Sequence, residues 1–585
     1  MKTKIRFYFA ILTASILTAT SCHDDMIPIS ITDTYQPNNK LESIADSALA
    51  ARCSNGVFVG RLSDNILTFK GIPYAKPPIG ARRWKAPEAP DTDSAAYEAY
   101  YFSKSPIQTR DKYITGSQNV TGEDCLYLNI WTNTLDTSSH KPVMVYIHGG
   151  SYGWGASMDP LYNGANLVRN HPDIVLVTVG YRTGMMGFID FEGINGNENF
   201  ADSPNLGLLD QVMALKWVNN NIAAFGGDNQ NITIFGESAG GGSVSILSVM
   251  PAAKGLFQKA ICESGNIALS YSKDECKPLT QKLIELTGAK SMDDLMQIPE
   301  NELIALNEQL NSLANFPQRD GRTIPADLYE AYRRGDAKDI KMIAGSNSDE
   351  ARFWKKNYGP TSIFKVAINI LFENNTANFA DADKQEIENF IEKTQCEDGW
   401  EIVEFYNETM FRLPAICQAE GQSQNGGDIY MYYWRYPTSM PDYGASHIAE
   451  LSYVFGNLDY TTYTGNGNID TLLSHRIQNM WVNFARTGTP TDGEFTMPKY
   501  NTTDRTTTFF NSGKSITAEK APLDTQRQLL SGILKYHLNG NASSLSLNIP
   551  YVWKLAAKIV LPLALLIVVL IIIKRKIKKQ RGEKS

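Results

Sequence analysis

The chain predicts an α/β fold built around a mostly parallel sheet. Between Gly56 and about Tyr536, short β-branched runs alternate with longer helical patterns, the signature of strands joined by helical crossovers. Pro142 to Ile147, Ile174 to Val179 and Asn231 to Phe235 predict strands, whereas Leu206 to Asn221 and Gly240 to Met250 predict helices. The 585 residues are 43% hydrophobic and 20% charged, enough apolar material to bury a large core and too little charge for a disordered chain. No internal repeat interrupts the pattern.

The two ends read differently from the body. Lys2, Lys4 and Arg6 precede the mostly apolar Phe7 to Leu17, and small residues lead to Cys22, so residues 1–21 are expected to be a signal peptide. Cys22 is also a candidate for lipidation, although Ala19 stands where such signals favour Leu. Residues 22–52, rich in Asp, Ser, Thr and Asn, read as an exported linker ahead of a body over 53–538, and 539–550 read as a juxtamembrane linker. Ile559 to Ile573 is apolar apart from the turn residue Pro562 and spans about 22 Å as a helix. Extension back through Lys558 to Trp553 and Tyr551 gives an expected transmembrane helix over 551–573. Residues 574–585 hold seven Lys or Arg against one Glu, which predicts a cytoplasmic tail and a membrane-anchored body on the extracytoplasmic or periplasmic side.

A formal charge of −7, with basic residues dense only in that tail, excludes a nucleic-acid footprint over the body. Six cysteines follow Cys22, and their spacing leaves fifteen pairings open. The His, Cys and acidic residues show neither His-Glu-x-x-His nor paired Cys-x-x-Cys spacing, so no metal or organic cofactor is expected. The sequence identifies no protein partner.

Chemistry enters at Gly236-Glu237-Ser238-Ala239-Gly240, which lies between a predicted strand and a predicted helix. Such a strand-to-helix turn throws the Ser hydroxyl out above the sheet, and the flanking glycines leave room for it. Ser238 is therefore the candidate nucleophile. The N–H of Ala239, at the start of the helix, can face a developing oxyanion. After the strand ending at Ile147, His148-Gly149-Gly150 offers two more backbone donors, from Gly149 and Gly150, with His148 expected to hold the loop.

Gly71-Ile72-Pro73-Tyr74-Ala75, Glu123 to Asn129, the His148-Gly149-Gly150 loop, Asn205 to Trp217 and Phe225 to Asp228 leading into the Ser238 motif together resemble the type-B carboxylesterase and cholinesterase family of α/β-hydrolases. The resemblance covers roughly residues 56 to 535. It implies an α/β-hydrolase fold and serine-dependent hydrolysis of a small-molecule carboxylic ester through an acyl-enzyme. It also implies the order nucleophile, acid, base. Gly345 to Glu350 resembles the family's acid loop, with Glu350 as the acid and adjacent Asp349 as the alternative. Gly444 to Leu451 resembles its His loop, with His447 as the base and His475 as the rival. Glu237 and Ser264 resemble supporting groups behind the catalytic centre. Arg83 with Glu123, and Arg182 with Asp228, resemble buried ion pairs of the scaffold.

Departures from the family narrow the expectation. Phe102 to Pro106 holds no partner for Cys125, and Ala289 stands where a second disulfide would be, both marks of a bacterial-type member. Residues 106–124 lack the Trp of a choline site, leaving only Tyr113 for a cation–π contact. Choline esters are thus disfavoured. Amides, carbamates and lactones share the chemistry, and some relatives are non-catalytic adhesion proteins, but Ser238, Glu350 and His447 are all retained.

Overall fold

The computed structural model describes residues 36–108, 120–310, 316–357, 359–394, 396, 399–467 and 469–536. The signal peptide, Cys22, Tyr113, the stretch 539–550, the expected span at 551–573 and the tail at 574–585 all lie outside the described residues.

Among the described residues eleven strands form one sheet: β1 (Arg61–Ser63), β2 (Ile66–Pro73), β3 (Tyr127–Thr132), β4 (Lys141–Ile147), β5 (Val175–Val179), β6 (Gly227–Glu237), β7 (Lys259–Glu263), β8 (Lys341–Asn347), β9 (Ile429–Trp434), β10 (Thr507–Ser512) and β11 (Ser515–Glu519). Their spatial order is 11-10-9-8-7-6-4-5-3-2-1. From β5 across to β10 every neighbouring pair is parallel, and the flanking pairs are antiparallel. The central strands read as nearly unbroken apolar runs because helices cover both faces of a parallel sheet. A smaller sheet holds Lys40–Leu41, Ala50–Cys53, Asn55–Val59 and Asp93–Glu98.

The predicted elements appear with small changes at their ends. Helix α1 (Leu206–Asn221) matches its prediction, and α2 (Ala239–Leu247) starts one residue earlier and stops three sooner. Strand β6 is longer than Asn231 to Phe235 because it pairs with β4 from Gly227 to Gly236 and with β7 on to Glu237. Since β5 and β6 lie on opposite sides of β4, the chain reverses direction across the sheet there. A crevice opens at the carboxyl ends of those strands.

Among the described residues no helix is long and apolar enough to cross a membrane. This corrects the expected fold class in one respect, and the membrane-anchored localisation with it: the α/β body is described without a spanning helix. The 17-residue helix Thr471–Thr487 belongs to that body, with Leu473, Ile477 and Trp481 in the core and Thr471 and His475 exposed.

One expected ion pair forms and the other changes partner. Arg83 donates through Nε and Nη2 to both carboxylate oxygens of Glu123, at 2.6 and 2.7 Å. Arg182 pairs instead with Asp210, at 2.8 and 2.6 Å, and Asp210 also accepts the Arg182 N–H. Asp228 is half-buried and accepts from the Gln230 N–H. The difference is one of burial: Asp210 sits fully buried on α1, where only a paired carboxylate is tolerated. Cys53, Cys125, Cys262, Cys276, Cys396 and Cys417 are free thiols.

Candidate active site

Ser238 stands between β6 and α2 with φ 58° and ψ −123°, a backbone conformation that is costly for a residue with a Cβ. Its neighbours hold it there. The Ser238 N–H donates to the Glu263 carbonyl at 2.9 Å, and its own carbonyl accepts from the Gly242 N–H at 2.8 Å. A Cβ on Gly240 would lie 2.0 Å from the Ile147 carbonyl oxygen, so the turn closes only with glycine there.

The loop after β4 lies directly over the elbow. A Cβ on Gly149 would approach the Ser238 Cβ to 3.1 Å, and Gly150 has φ +108°. Gln108 clamps the far end of the loop, accepting from the Gly155 N–H at 2.8 Å and donating to the Gly155 carbonyl at 2.9 Å. His148 is buried, stacked on Tyr181 at 4.3 Å, with Nδ1 2.8 Å from the Gly149 carbonyl. Burial pulls its imidazole down to about 4, so it is neutral near pH 7. Ala239 is the first residue of α2, and its N–H has no acceptor within that helix.

Glu350 and His447, 97 residues apart, meet above the carboxyl end of β8. His447 Nδ1 lies 2.5 Å from Glu350 Oε2, while Glu350 Oε1 accepts the Asn347 N–H at 2.7 Å. Asp349 faces elsewhere: it accepts the Ala445 N–H at 3.0 Å and pairs with Arg352 at 3.0 Å. His475 is exposed on its helix. Ser238, Ala239, Gly150, Glu237 and His447 line one cavity of about 60 Å³, with Trp154, Tyr162, Phe316, Phe353, Trp354 and Phe411 as aromatic walls and Leu269, Met410 and Ile448 between them.

Glu237 is placed more intimately than the sequence reading had it. Its Oε1 lies 3.0 Å from His447 Nε2. The angle falls outside hydrogen-bond geometry, and Oε1 has no hydrogen-bond partner among the described residues, so the contact is one of charge. Burial pushes the Glu237 carboxyl up to about 8, with the charge of His447 opposing it. Burial alone would depress His447; Glu237, Glu350 with its hydrogen bond, and Glu450 outweigh it and lift the imidazole to about 9.

Ser264 has φ +48°, and its Oγ donates to Glu450 Oε1 at 3.3 Å, while Asn347 donates to Glu450 Oε2 at 2.6 Å. Glu450, raised by burial to about 7, and Glu263, held by Trp481 Nε1 at 2.7 Å and raised well above the usual carboxylate range by burial, complete a buried set with Glu237 and Glu350. Neither Glu450 nor Glu263 was singled out from the sequence. Glu450 lies three residues after His447 and Glu263 beside Ser264, but an isolated Glu carries no pattern that marks it as buried.

The Carboxylesterase family model matches residues 49–529, more than half of the chain. The chain belongs to the carboxylesterase family. It is 34% identical over 495 residues to the para-nitrobenzyl esterase of Bacillus subtilis, covering 81% of this chain and 97% of that one. It is 31% identical to the human bile salt-activated lipase, covering 82% and 67%. Among solved structures, the Geobacillus stearothermophilus carboxylesterase superposes with a TM-score of 0.74 at 30% identity, covering 82% and 99%, and a thermophilic para-nitrobenzyl esterase with 0.72 at 32%, covering 83% and 100%. This carboxylesterase is a carboxylic ester hydrolase of the serine-hydrolase type, with an α/β-hydrolase fold.

Proposed function

We propose that Ser238, Glu350 and His447 are the catalytic triad and that the N–H groups of Gly149, Gly150 and Ala239 form the oxyanion hole. The 2.5 Å contact between His447 Nδ1 and Glu350, beside a cavity that Ser238 and His447 both line, carries the reading. His447 Nε2 takes the Ser238 proton as Oγ attacks the ester carbon. The tetrahedral oxyanion collapses, the C–O bond to the alcohol breaks, and His447 returns the proton to that alcohol. Water then repeats the cycle on the acyl-enzyme and releases the acid. Glu350 holds the tautomer with Nδ1 protonated and steadies the imidazolium that forms.

The substrate is a small carboxylic ester. The cavity of about 60 Å³, walled by aromatic rings, suits a compact acyl or alcohol group without a polar headgroup. Treatment with a fluorophosphonate is expected to incorporate one label per chain, found on the peptide containing Ser238 and absent from Ser238→Ala. A label on another serine would overturn the assignment.

Glu237 and Ser264 act as supports. Glu237, ionised above about pH 8, stabilises the imidazolium by charge there, and Ser264 holds Glu450 behind it. A base works in its neutral form, so activity rises as pH passes the His447 value, which these carboxylates lift above the ordinary imidazole range. Removing one negative charge lowers that value. The acid limb of the kcat–pH profile is therefore expected to shift to lower pH in Glu237→Gln, and an unmoved limb would remove Glu237 from this role.

A further inference from the structure

Helix Glu401–Tyr406 runs into a π-helical turn, Asn407–Arg412, before helix Leu413–Gln424 resumes α geometry. Such turns are rare and collect at functional sites, because the widened register frees backbone groups and re-aims side chains. This turn reaches the active site at two points. Asn407, 2% exposed, accepts the Ala351 N–H at 2.8 Å and donates to the Ser348 carbonyl at 3.0 Å, so one side chain grips the acid loop on both sides of Glu350. Three and four residues on, Met410 and Phe411 line the cavity, with the Phe411 ring 5.1 Å from that of His447. The Met410 carbonyl is taken by Asn266 Nδ2 at 3.0 Å, two residues beyond Ser264, and the Glu408–Arg412 pair at 2.6 Å closes the turn on itself.

We propose that this π-turn is a positioning element of the active site, in which Asn407 positions Glu350 and Met410 limits the size of the substrate. The inference rests on the assignment of Glu350 and His447 as acid and base. A residue shift in the turn would withdraw Asn407 from the acid loop and Met410 and Phe411 from the cavity wall together, so the π geometry serves both. The groups that face His447 are Glu237, Glu350 and Glu450, and Glu404 lies beside Asn407 with Asp349 and Arg352 beyond it.

The two halves have different signatures in the full chain, with p-nitrophenyl acetate and hexanoate as probes. Asn407→Ala is expected to lower kcat about 10²-fold on both esters with little change in KM, since the acid is displaced rather than the substrate. Its acid limb is expected to move to lower pH, because His447 loses part of its carboxylate support. Met410→Ala is expected to raise the hexanoate-to-acetate ratio of kcat/KM about tenfold and leave the acid limb in place. Asn407→Asp, which keeps the bond to Ala351 and loses the two that Nδ2 donates, to the Ser348 carbonyl and to Glu404 Oε2, is expected to fall between Asn407→Ala and wild type in kcat, and it serves as the reading if the Ala variant does not fold. Variants at 407 with wild-type turnover, or a drop in kcat with an unmoved acid limb, would overturn the role of Asn407; an unchanged ratio in Met410→Ala would overturn the size limit. If instead Ser238→Ala still turned over ester, the triad itself would be at fault.

Discussion

Ser238→Ala is expected to fold as the wild type does and to hydrolyse p-nitrophenyl acetate with kcat lowered about 10⁴- to 10⁶-fold. The size follows from what is removed. Without Oγ no acyl-enzyme forms, and the remaining donors and cavity walls can only orient water against the ester. The fold should survive because the Ser238 hydroxyl carries none of the elbow's architecture: the backbone bonds to Glu263 and Gly242 hold it, and Ala keeps the Cβ. Turnover measured with purified variant, beside a matched circular dichroism spectrum and melting temperature, checks this. Activity within about tenfold of wild type would remove Ser238 from the reaction.

Glu350→Gln is expected to lower kcat by about 10³- to 10⁴-fold with KM little changed. The hydrogen bonds around Glu350 say why. Oε1 accepts the Asn347 N–H, so in the variant the amide oxygen takes that place and the NH₂ turns toward His447 Nδ1. A donor there requires Nδ1 to be the acceptor, which moves the ring proton to Nε2, the nitrogen that must receive the proton of Ser238. The base is thus presented in its wrong tautomer, and the imidazolium loses a buried counter-charge. Steady-state kinetics from pH 6 to 10 reads both effects. A variant that kept wild-type kcat at alkaline pH would assign the acid to another carboxylate, and Glu450 would be the first to test.

Much of this site was legible in the chain because its parts are local. A strand, a tight turn and a helix within about twenty residues impose the Gly236 to Gly240 pattern, since only glycine admits the approach of Ile147 to residue 240. The proposed acid and base were legible only through family resemblance, helped by the polar helical pattern around His475 that marks a surface histidine. The choice of Asp228 for Arg182 was wrong for a related reason: Asp210 lies inside the helical pattern of α1, and its burial depends on how that helix packs on the sheet.

Motif resemblance carried the membership of an esterase family, and the sequence by itself determined the α/β class, the presence of a strand and a helix on either side of the elbow, and the nucleophile motif. The last three are written in periodicity or in backbone sterics over a few residues. Only the tertiary structure decided the set of buried carboxylates around His447, the close contact of Glu237 with its Nε2, the partner of Arg182, the dimensions of the cavity and the reach of Asn407 to both sides of Glu350. These are contacts between side chains tens to hundreds of residues apart. Packing of the sheet and its covering helices brings them together, and burial then sets their charge.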